Sequence, residues 1–441
     1  MATTGNPQEE ARRMRLLVLG INYAPEFIAT GLYTTGFAEH MAAQGIETHV
    51  VTARPYYPAW RTFDGWRAPW WKARRSENGT RIVHCPIYVP ATPKGLRRML
   101  HYISFVASAA PVLLWKALTR RPDVMVLIAP SLLPAPLLLA AAWLAGSKTW
   151  LHVQDFEVEA AFATGLLKED SAGGRFALAF ERRVMRRFDK VSSISRQMMD
   201  RLRQKGVPEH RITEFRNWAD LKRVVPMTGT SPLKAELGIT TPHVALYSGN
   251  LANKQGLEIL PEMARALSHR TDLTIAVCGD GPMRAPLQEM AKDLPMLRFF
   301  PLQPVEKLND LLGMADVHLL PQIAGAADLL LPSKLTNMLA SGRPVVATAD
   351  LHTALGQEVD GCGRVTPPGD ARAMARAVED LLDSPEERAV LGASARNRAL
   401  ERWDMGATLS RVKTQLEALA GQRVVRQAED GEERRAREGK A

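Results

Sequence analysis

Cysteine is scarce in this 441-residue chain, with Cys85, Cys278 and Cys362 far apart and without paired spacing. That excludes a disulfide framework or a cysteine-rich zinc site and fits a reducing compartment. No set of His, Cys, Asp and Glu has metal-ligand spacing, so a resident metal is not expected. The start, residues 1–13, is polar and charged and lacks the apolar core of a secretory signal. No strand-like run leads into a full Gly-x-Gly-x-x-Gly, and no Gly-Lys-Ser/Thr closes a Walker loop. Without that fingerprint, and without a convincing Tyr-x-x-x-Lys pair, an NAD-dependent sugar-modifying enzyme has no support. Aromatics make up 6% of the chain and form no recognisable nucleic-acid module with the basic residues.

What is present is a soluble composition, 46% hydrophobic and 24% charged, in a chain too long for one ordinary core. Two domains follow as the expectation. The 57 Lys+Arg against 47 Asp+Glu leave a formal charge of +10, which favours anionic partners. Two long apolar stretches need an assignment. Residues 101–118, "HYISFVASAAPVLLWKAL", lie between Arg97-Arg98 and Arg120-Arg121 and are interrupted by Pro111. Residues 132–146 hold two prolines and fall short of the ~20 residues that span a bilayer. Both read as helices of a buried α/β layer, and the basic flanks of the first would also let it rest on an anionic membrane surface.

Strand-like and helix-like segments alternate almost throughout, the pattern of parallel sheets covered on both faces. Candidate strands are 15–23, 46–53, 81–89, 123–129, 148–155 and 190–195 in the first half. In the second they are the run ending "VALYSGN", then 273–281, 297–302, 316–321 and 343–349. Pro, Thr and Gly break the periodicity at 221–234, which sets domains of 14–222 and 223–421 between a disordered start (1–13) and a charged, disordered or frayed tail (422–441). The last helix of the second domain could cross back to the first.

Four segments carry candidate chemistry. In "ALYSGNLANKQGLEIL" (245–260) a strand ends at Ser248-Gly249-Asn250 and a loop brings Lys254 before a helix. Gly249 would let a ligand approach the backbone, and the Lys254 ammonium can neutralise a phosphate oxygen. In "AADLLLPSKLTNMLASGRPVV" (326–346), Pro332 is placed to open a helix with Ser333 and Lys334 in its first turn. Helix amides and a lysine together favour an anion. Two such βα loops in one sheet could grip a diphosphate from two sides. In the first domain, "GINYAPEFIATGLYTTG" (20–36) offers a loop through Thr30-Gly31, and "LHVQDFEVEAAFATGL" (151–166) gathers His152, Asp155, Glu157 and Glu159 at a strand end. Polar groups at the carboxyl end of a parallel strand often face a ligand. Asp155 and His152 are the candidates there.

Taken together, these segments resemble family 4 glycosyltransferases of the GT-B type, over nearly the whole chain to about residue 420. Within that family they look most like the colanic-acid-biosynthesis glycosyltransferases of bacterial exopolysaccharide assembly. The carrying residues are "GINYAPE", "TARPYYPAW" (52–60), "PIYVP" (86–90), "LHVQDFEVEA", "YSGNLANKQGLE", "RFFPLQP" (298–304) and "LPSKLTNMLA" (331–340). The resemblance implies two Rossmann-like doubly wound domains, with the nucleotide sugar held by the second and the acceptor by the first. It implies that Lys254 and Lys334 hold the donor diphosphate with help from Ser333, and that Gly31, Gly249, Asn250, Gly279, Pro301, Leu302, Asp328, Leu331 and Asn337 line the donor site. Many family members have Gly-Arg where this chain has Gly249-Asn250. Where they often carry two glutamates eight residues apart, this chain has Leu329, beside Asp328, and Asn337. A retaining transfer follows, most simply of fucose from GDP-fucose, with GDP-mannose or a UDP-sugar as other donors. The acceptor would be a polyprenyl-diphosphate-linked glycan at the inner face of the cytoplasmic membrane. No cofactor or nucleic acid is expected. The other reading is a noncatalytic nucleotide-sugar or glycan-binding partner.

Overall fold

The computed structural model describes the chain apart from residues 1–12, 27–28, 94, 164–167, 220, 252–254, 324–331 and 439–441, and apart from the side chains of 29, 160, 163 and 423–438. The described chain forms two compact units. Unit 1 is Met1–Ile194, Met198–Phe215 and Leu409–Ala441; unit 2 is Ser195–Gln197 and Arg216–Thr408. The division falls before the Pro/Thr/Gly-rich seam at 221–234, because that seam is fastened into unit 2. Ala219 donates its N–H to the Trp403 carbonyl (2.9 Å), and the Arg396 guanidinium donates to the carbonyls of Leu221 and Val224.

Unit 1 holds β1 (Arg15–Gly20), β2 (Glu47–Ala53), β3 (Lys72–Arg75), β4 (Arg81–Cys85), β5 (Val124–Ala129), β6 (Lys148–Val153), β7 (Lys190–Ser193) and β8 (Ile212–Glu214). They lie in the order β3-β4-β2-β1-β5-β6-β7-β8, all parallel except the β3–β4 pair. Unit 2 holds β9 (His243–Ser248), β10 (Leu273–Cys278), β11 (Leu297–Phe300), β12 (Val317–Leu320), β13 (Val345–Thr348) and β14 (Gly363–Thr366). Their order is β11-β10-β9-β12-β13-β14, parallel throughout. Both sheets are therefore doubly wound, and each reverses its strand order once, between β1 and β5 in unit 1 and between β9 and β12 in unit 2. Ligands of open α/β sheets bind at such a switch point, outside the carboxyl ends of the strands.

Central strands such as VMVLIA (β5) and LTIAVC (β10) are buried along their whole length, as strands covered on both faces must be. Three strands carry no such signal. β3, KARR, is an exposed edge, and β8 and β14 are too short for an apolar pattern.

The apolar stretch at 101–118 forms the helix Gly95–Arg120, and its burial is one-sided, contrary to the buried-layer expectation. His101, Tyr102, Phe105, Ala109, Leu113 and Ala117 face the core. Leu96, Met99, Leu100, Ile103, Trp115 and Leu118 face outward and are each about half exposed or more. Pro111 removes a hydrogen bond to the carbonyl of residue 107, and both positions lie on the exposed face, where water can replace it. In the neighbouring helix Ala135–Ala145, Trp143 is 81% exposed. The C-terminal helix Met405–Glu438 belongs to unit 1 from Leu409 and runs through the tail expected to be disordered or a frayed helix. Glu, Arg, Gln and Ala dominate that segment, and all favour a helix.

Candidate active site

At the switch point of unit 2, β9 ends at Ser248 and the chain turns through Gly249 at φ +134°, a conformation suited to glycine. The turn is tied to the end of β10: the Gly249 N–H donates to the Cys278 carbonyl (3.0 Å) and the Leu251 N–H to that of Asp280 (2.9 Å). The two strand ends approach so closely that a Cβ on Gly279 would meet the Gly249 carbonyl oxygen at 1.9 Å. Gly279 is thus needed to bring these backbones together. The Arg284 guanidinium closes the same edge by donating to the carbonyls of Gly279 (2.5 Å) and Phe300 (2.9 Å). Pro301 and Leu302 follow β11 and are exposed.

Lys334 comes from the other side of the switch point, as the first residue of the helix Lys334–Ala340. Its side chain reaches back to the β9 turn, with Cδ 3.5 Å from where a Cβ on Gly249 would sit. Nζ donates to the Tyr247 hydroxyl (2.9 Å) and to Gln255 Oε1 (3.0 Å), and lies 4.0 Å from the centre of the Tyr247 ring. Both oxygens are neutral, since burial pushes the Tyr247 phenol above its ordinary range. Among the described residues no carboxylate pairs with Lys334, and burial pushes its ammonium down to about 7. Desolvation without compensation by an anion produces that shift. Asn337 lies one turn along the same helix face. Ser333 immediately precedes the helix and its hydroxyl makes no capping bond, so it is an exposed group beside Lys334. Lys254, Asp328 and Leu331, expected here, lie outside the described residues. Tyr247, Gln255 and Arg284 were not among the sequence candidates. Tyr247 sat inside an apolar run where an aromatic reads as core, and only the fold turns its hydroxyl to Lys334.

Unit 1 builds a different kind of edge. Glu26, in the "GINYAPE" turn after β1, is 3% exposed. Its Oε1 accepts the N–H groups of Tyr56 (2.8 Å) and Tyr57 (2.9 Å), and its Oε2 accepts from Asn22 (2.8 Å). Burial pushes the carboxyl up while these hydrogen bonds pull it down. Gly31 packs tightly against it: a Cβ would lie 3.1 Å from Glu26 Cβ. Gly31 thus lies beside Glu26, and the residue missed by sequence reasoning is that buried glutamate. Asp155, following β6, is exposed. Glu157 is drawn instead into an ion pair with Arg98 (3.2 Å), which also bonds the Tyr102 hydroxyl. Burial still pushes Glu157 up. Glu159 and Glu181 share the buried Lys205, at 2.9 and 2.5 Å.

His152, expected to orient an acceptor, lies inside the unit. It is 2% exposed, with Nδ1 on the Ser192 hydroxyl (2.9 Å), Nε2 on the Gln154 amide (2.9 Å) and the ring 4.4 Å from that of Phe215. Burial pushes it down to about 3, so it is neutral. With both nitrogens engaged inside the unit, it braces β6 against β7.

Residues 29–218 match the family described as Glycosyl transferase 4-like domain, and residues 231–398 the family described as Glycosyl transferases group 1. Two doubly wound parallel-sheet units carrying these matches in this order define a GT-B glycosyltransferase. The chain belongs to family 4 of that class. It is 39% identical over 391 residues to the Escherichia coli K12 protein named "Putative colanic acid biosynthesis glycosyl transferase WcaI", covering 86% of this chain and 94% of that one. It is 26% identical to a GDP-mannose-dependent alpha-(1-6)-phosphatidylinositol monomannoside mannosyltransferase of Mycolicibacterium smegmatis, over 89% of this chain and 96% of that one. In fold it is similar to HepE of Anabaena in complex with UDP-glucose, with a TM-score of 0.64 at 14% identity over 92% of this chain and 100% of that one.

Proposed function

We propose that this glycosyltransferase is a retaining enzyme of exopolysaccharide assembly. It moves a sugar, fucose from GDP-fucose in the first instance, to a polyprenyl-diphosphate-linked oligosaccharide. The observation that carries the reading is Lys334: a desolvated ammonium at the switch point of unit 2, held by neutral oxygens and lacking a carboxylate among the described residues. An anionic leaving group supplies what that site lacks. The sugar C1–O bond to the diphosphate breaks while the acceptor hydroxyl oxygen bonds C1 on the same face. The proton of that hydroxyl passes to the departing diphosphate oxygen. Lys334 and Lys254 meet the charge that develops there, in the manner of preorganised electrostatic catalysis, and Asn337 hydrogen-bonds a donor hydroxyl. Asp155 orients the acceptor from unit 1. The "colanic acid" in the relative's name supports the pathway, and the GDP-mannose dependence of the other supports a GDP donor.

The outward face of Gly95–Arg120 supports work at the inner surface of the cytoplasmic membrane. Met99, Leu100, Ile103, Trp115 and Leu118 form an apolar ridge between the arginine pairs at 97–98 and 120–121, and Leu96 extends it past the first pair. Each basic residue near an anionic surface contributes about 1 kcal/mol, enough together for reversible docking. Co-sedimentation with phosphatidylglycerol vesicles should fall as salt rises, because screening weakens the attraction. Retention through high salt and alkaline washing would mean that this helix spans the bilayer.

Thermal-shift screening of nucleotide sugars, followed by donor turnover with the best of them, tests the reaction. Slow release of free sugar from the tightest-binding donor is the expected result. Tight binding with no hydrolysis and no transfer would favour a noncatalytic binding partner, the reading to which Asn250 and Asn337 lend their only support.

A further inference from the structure

A second basic site lies at the opposite edge of the unit 1 sheet. The strands β6, β7 and β8 all enter the sheet there, and a pocket of about 320 Å³ opens beside their first residues. Lys148 begins β6, Lys190 begins β7, and His210 and Arg211 immediately precede β8. The parallel topology alone brings these four groups into one space.

Their charges are not balanced. Asp189 is the acidic side chain lining the pocket, and it is already committed: Oδ2 accepts the N–H and hydroxyl of Thr149, both at 2.8 Å, and Oδ1 lies 3.5 Å from Lys148. The Arg211 guanidinium donates to the carbonyls of Arg186 (3.1 Å) and Phe188 (3.2 Å), which fix its position without neutralising it. The side chains of Lys190 and His210 make no hydrogen bond or ion pair among the described residues. Three permanent cations therefore share this space with one carboxylate, and their mutual repulsion is relieved by an anion.

The far wall comes from the C-terminal helix, which presents Gln415, Ala418, Leu419 and Gln422. That spacing is a single helix face. Gln415 is oriented by the Thr213 hydroxyl, which donates to its Oε1 (2.8 Å) and leaves the amide N–H groups free to donate. A volume near the lower end of the range for small-molecule sites, with cations on one wall and amide and aliphatic groups on the other, suits a phosphorylated small molecule.

We propose that this pocket binds a phosphate-bearing group, and that occupancy fastens the C-terminal helix to the sheet. The group belongs either to a free phosphorylated metabolite or to an anionic lipid headgroup, which share the chemistry. Inorganic pyrophosphate serves as the probe. It is titrated calorimetrically into the full chain carrying Lys334→Ala, which weakens the unit 2 site, and any binding left there is told apart by its indifference to the substitutions below. One site per chain is expected, with slower hydrogen exchange in residues 415–422 on binding. Adding Lys190→Gln and His210→Gln should weaken binding severalfold, as the loss of one ammonium contact and one imidazole contact implies. Lys190→Arg, which keeps the charge, should retain it, and an unchanged melting temperature without ligand shows that the fold is intact. Phosphatidylglycerol vesicles separate the sources: weaker sedimentation of the Lys190→Gln, His210→Gln chain assigns a lipid headgroup, and equal sedimentation assigns a free metabolite. Absence of pyrophosphate binding in the Lys334→Ala chain, or binding untouched by the two substitutions, would overturn the proposal.

Discussion

The two switch-point edges treat charge in opposite ways. In unit 1 the acidic groups are answered from within the unit: Glu26 by two backbone N–H groups and an amide, Glu157 by Arg98, Glu159 and Glu181 by Lys205. In unit 2 the corresponding edge presents Lys334 to a phenol and an amide oxygen, with no carboxylate beside it among the described residues. Buried polar groups that are mutually satisfied fix a shape, whereas a desolvated charge held only by neutral dipoles has its best partner still to come. One edge is answered from within, and the other holds a lysine against neutral oxygens, as the proposed diphosphate site requires.

The comparison is broken most sharply by truncation on each side. Lys334→Ala should weaken nucleoside-diphosphate-sugar binding by about 2–5 kcal/mol, the usual cost of removing one partner of a desolvated charge pair, with little change in melting temperature. Calorimetry showing unchanged affinity would remove the site from unit 2. Glu26→Ala should do the reverse. It strands the N–H groups of Tyr56 and Tyr57, at about 1–3 kcal/mol for each unsatisfied buried group, so denaturant unfolding should shift while donor affinity holds.

Titration sharpens the same contrast. The ordinary lysine value is 10.5, and in the folded chain Lys334 titrates near 7. Between those values the unfolded chain binds the proton that the folded chain has released, so this group makes stability without donor rise with pH across that window. Donor binding needs the protonated form and therefore takes up a proton. Affinity should fall above about pH 7, by at most about tenfold per unit, until the bound-state value is reached. Calorimetry in buffers of different ionisation enthalpy would detect the proton, and a flat affinity from pH 6 to 9 would contradict the reading. The smallest expected effect is that of EDTA. With lysines supplying the positive charge, turnover should survive chelation, and activity lost to EDTA but restored by Mg²⁺ or Mn²⁺ would assign that charge to a metal.

Much of the architecture was legible because parallel strands covered on both faces are continuous apolar runs, and β1, β5, β9 and β10 stand out as such. Lys334 was legible for a related reason: a lysine opening the helix that follows a strand falls at the carboxyl edge of a doubly wound sheet. The edge strand β3 was not, since four exposed residues carry no periodicity. Nor was the outward face of Gly95–Arg120, because an apolar run of that length gives no sign of which side meets the core.

By itself, then, the sequence determined the class of fold and the carboxyl edge to which Lys334 comes, since both follow from local periodicity and order along the chain. Only the tertiary structure decided the state of each polar group. His152 and Asp155 stand three residues apart at one strand end, yet one is sealed between Ser192, Gln154 and Phe215 while the other is exposed. Lys334 and Lys205 are both lysines in α/β loops or helix ends, yet one meets two carboxylates and the other meets none among the described residues. Those differences are set mostly by contacts between segments tens of residues apart, and a carboxylate or its absence at 3 Å fixes whether a lysine completes the core or remains available to a ligand.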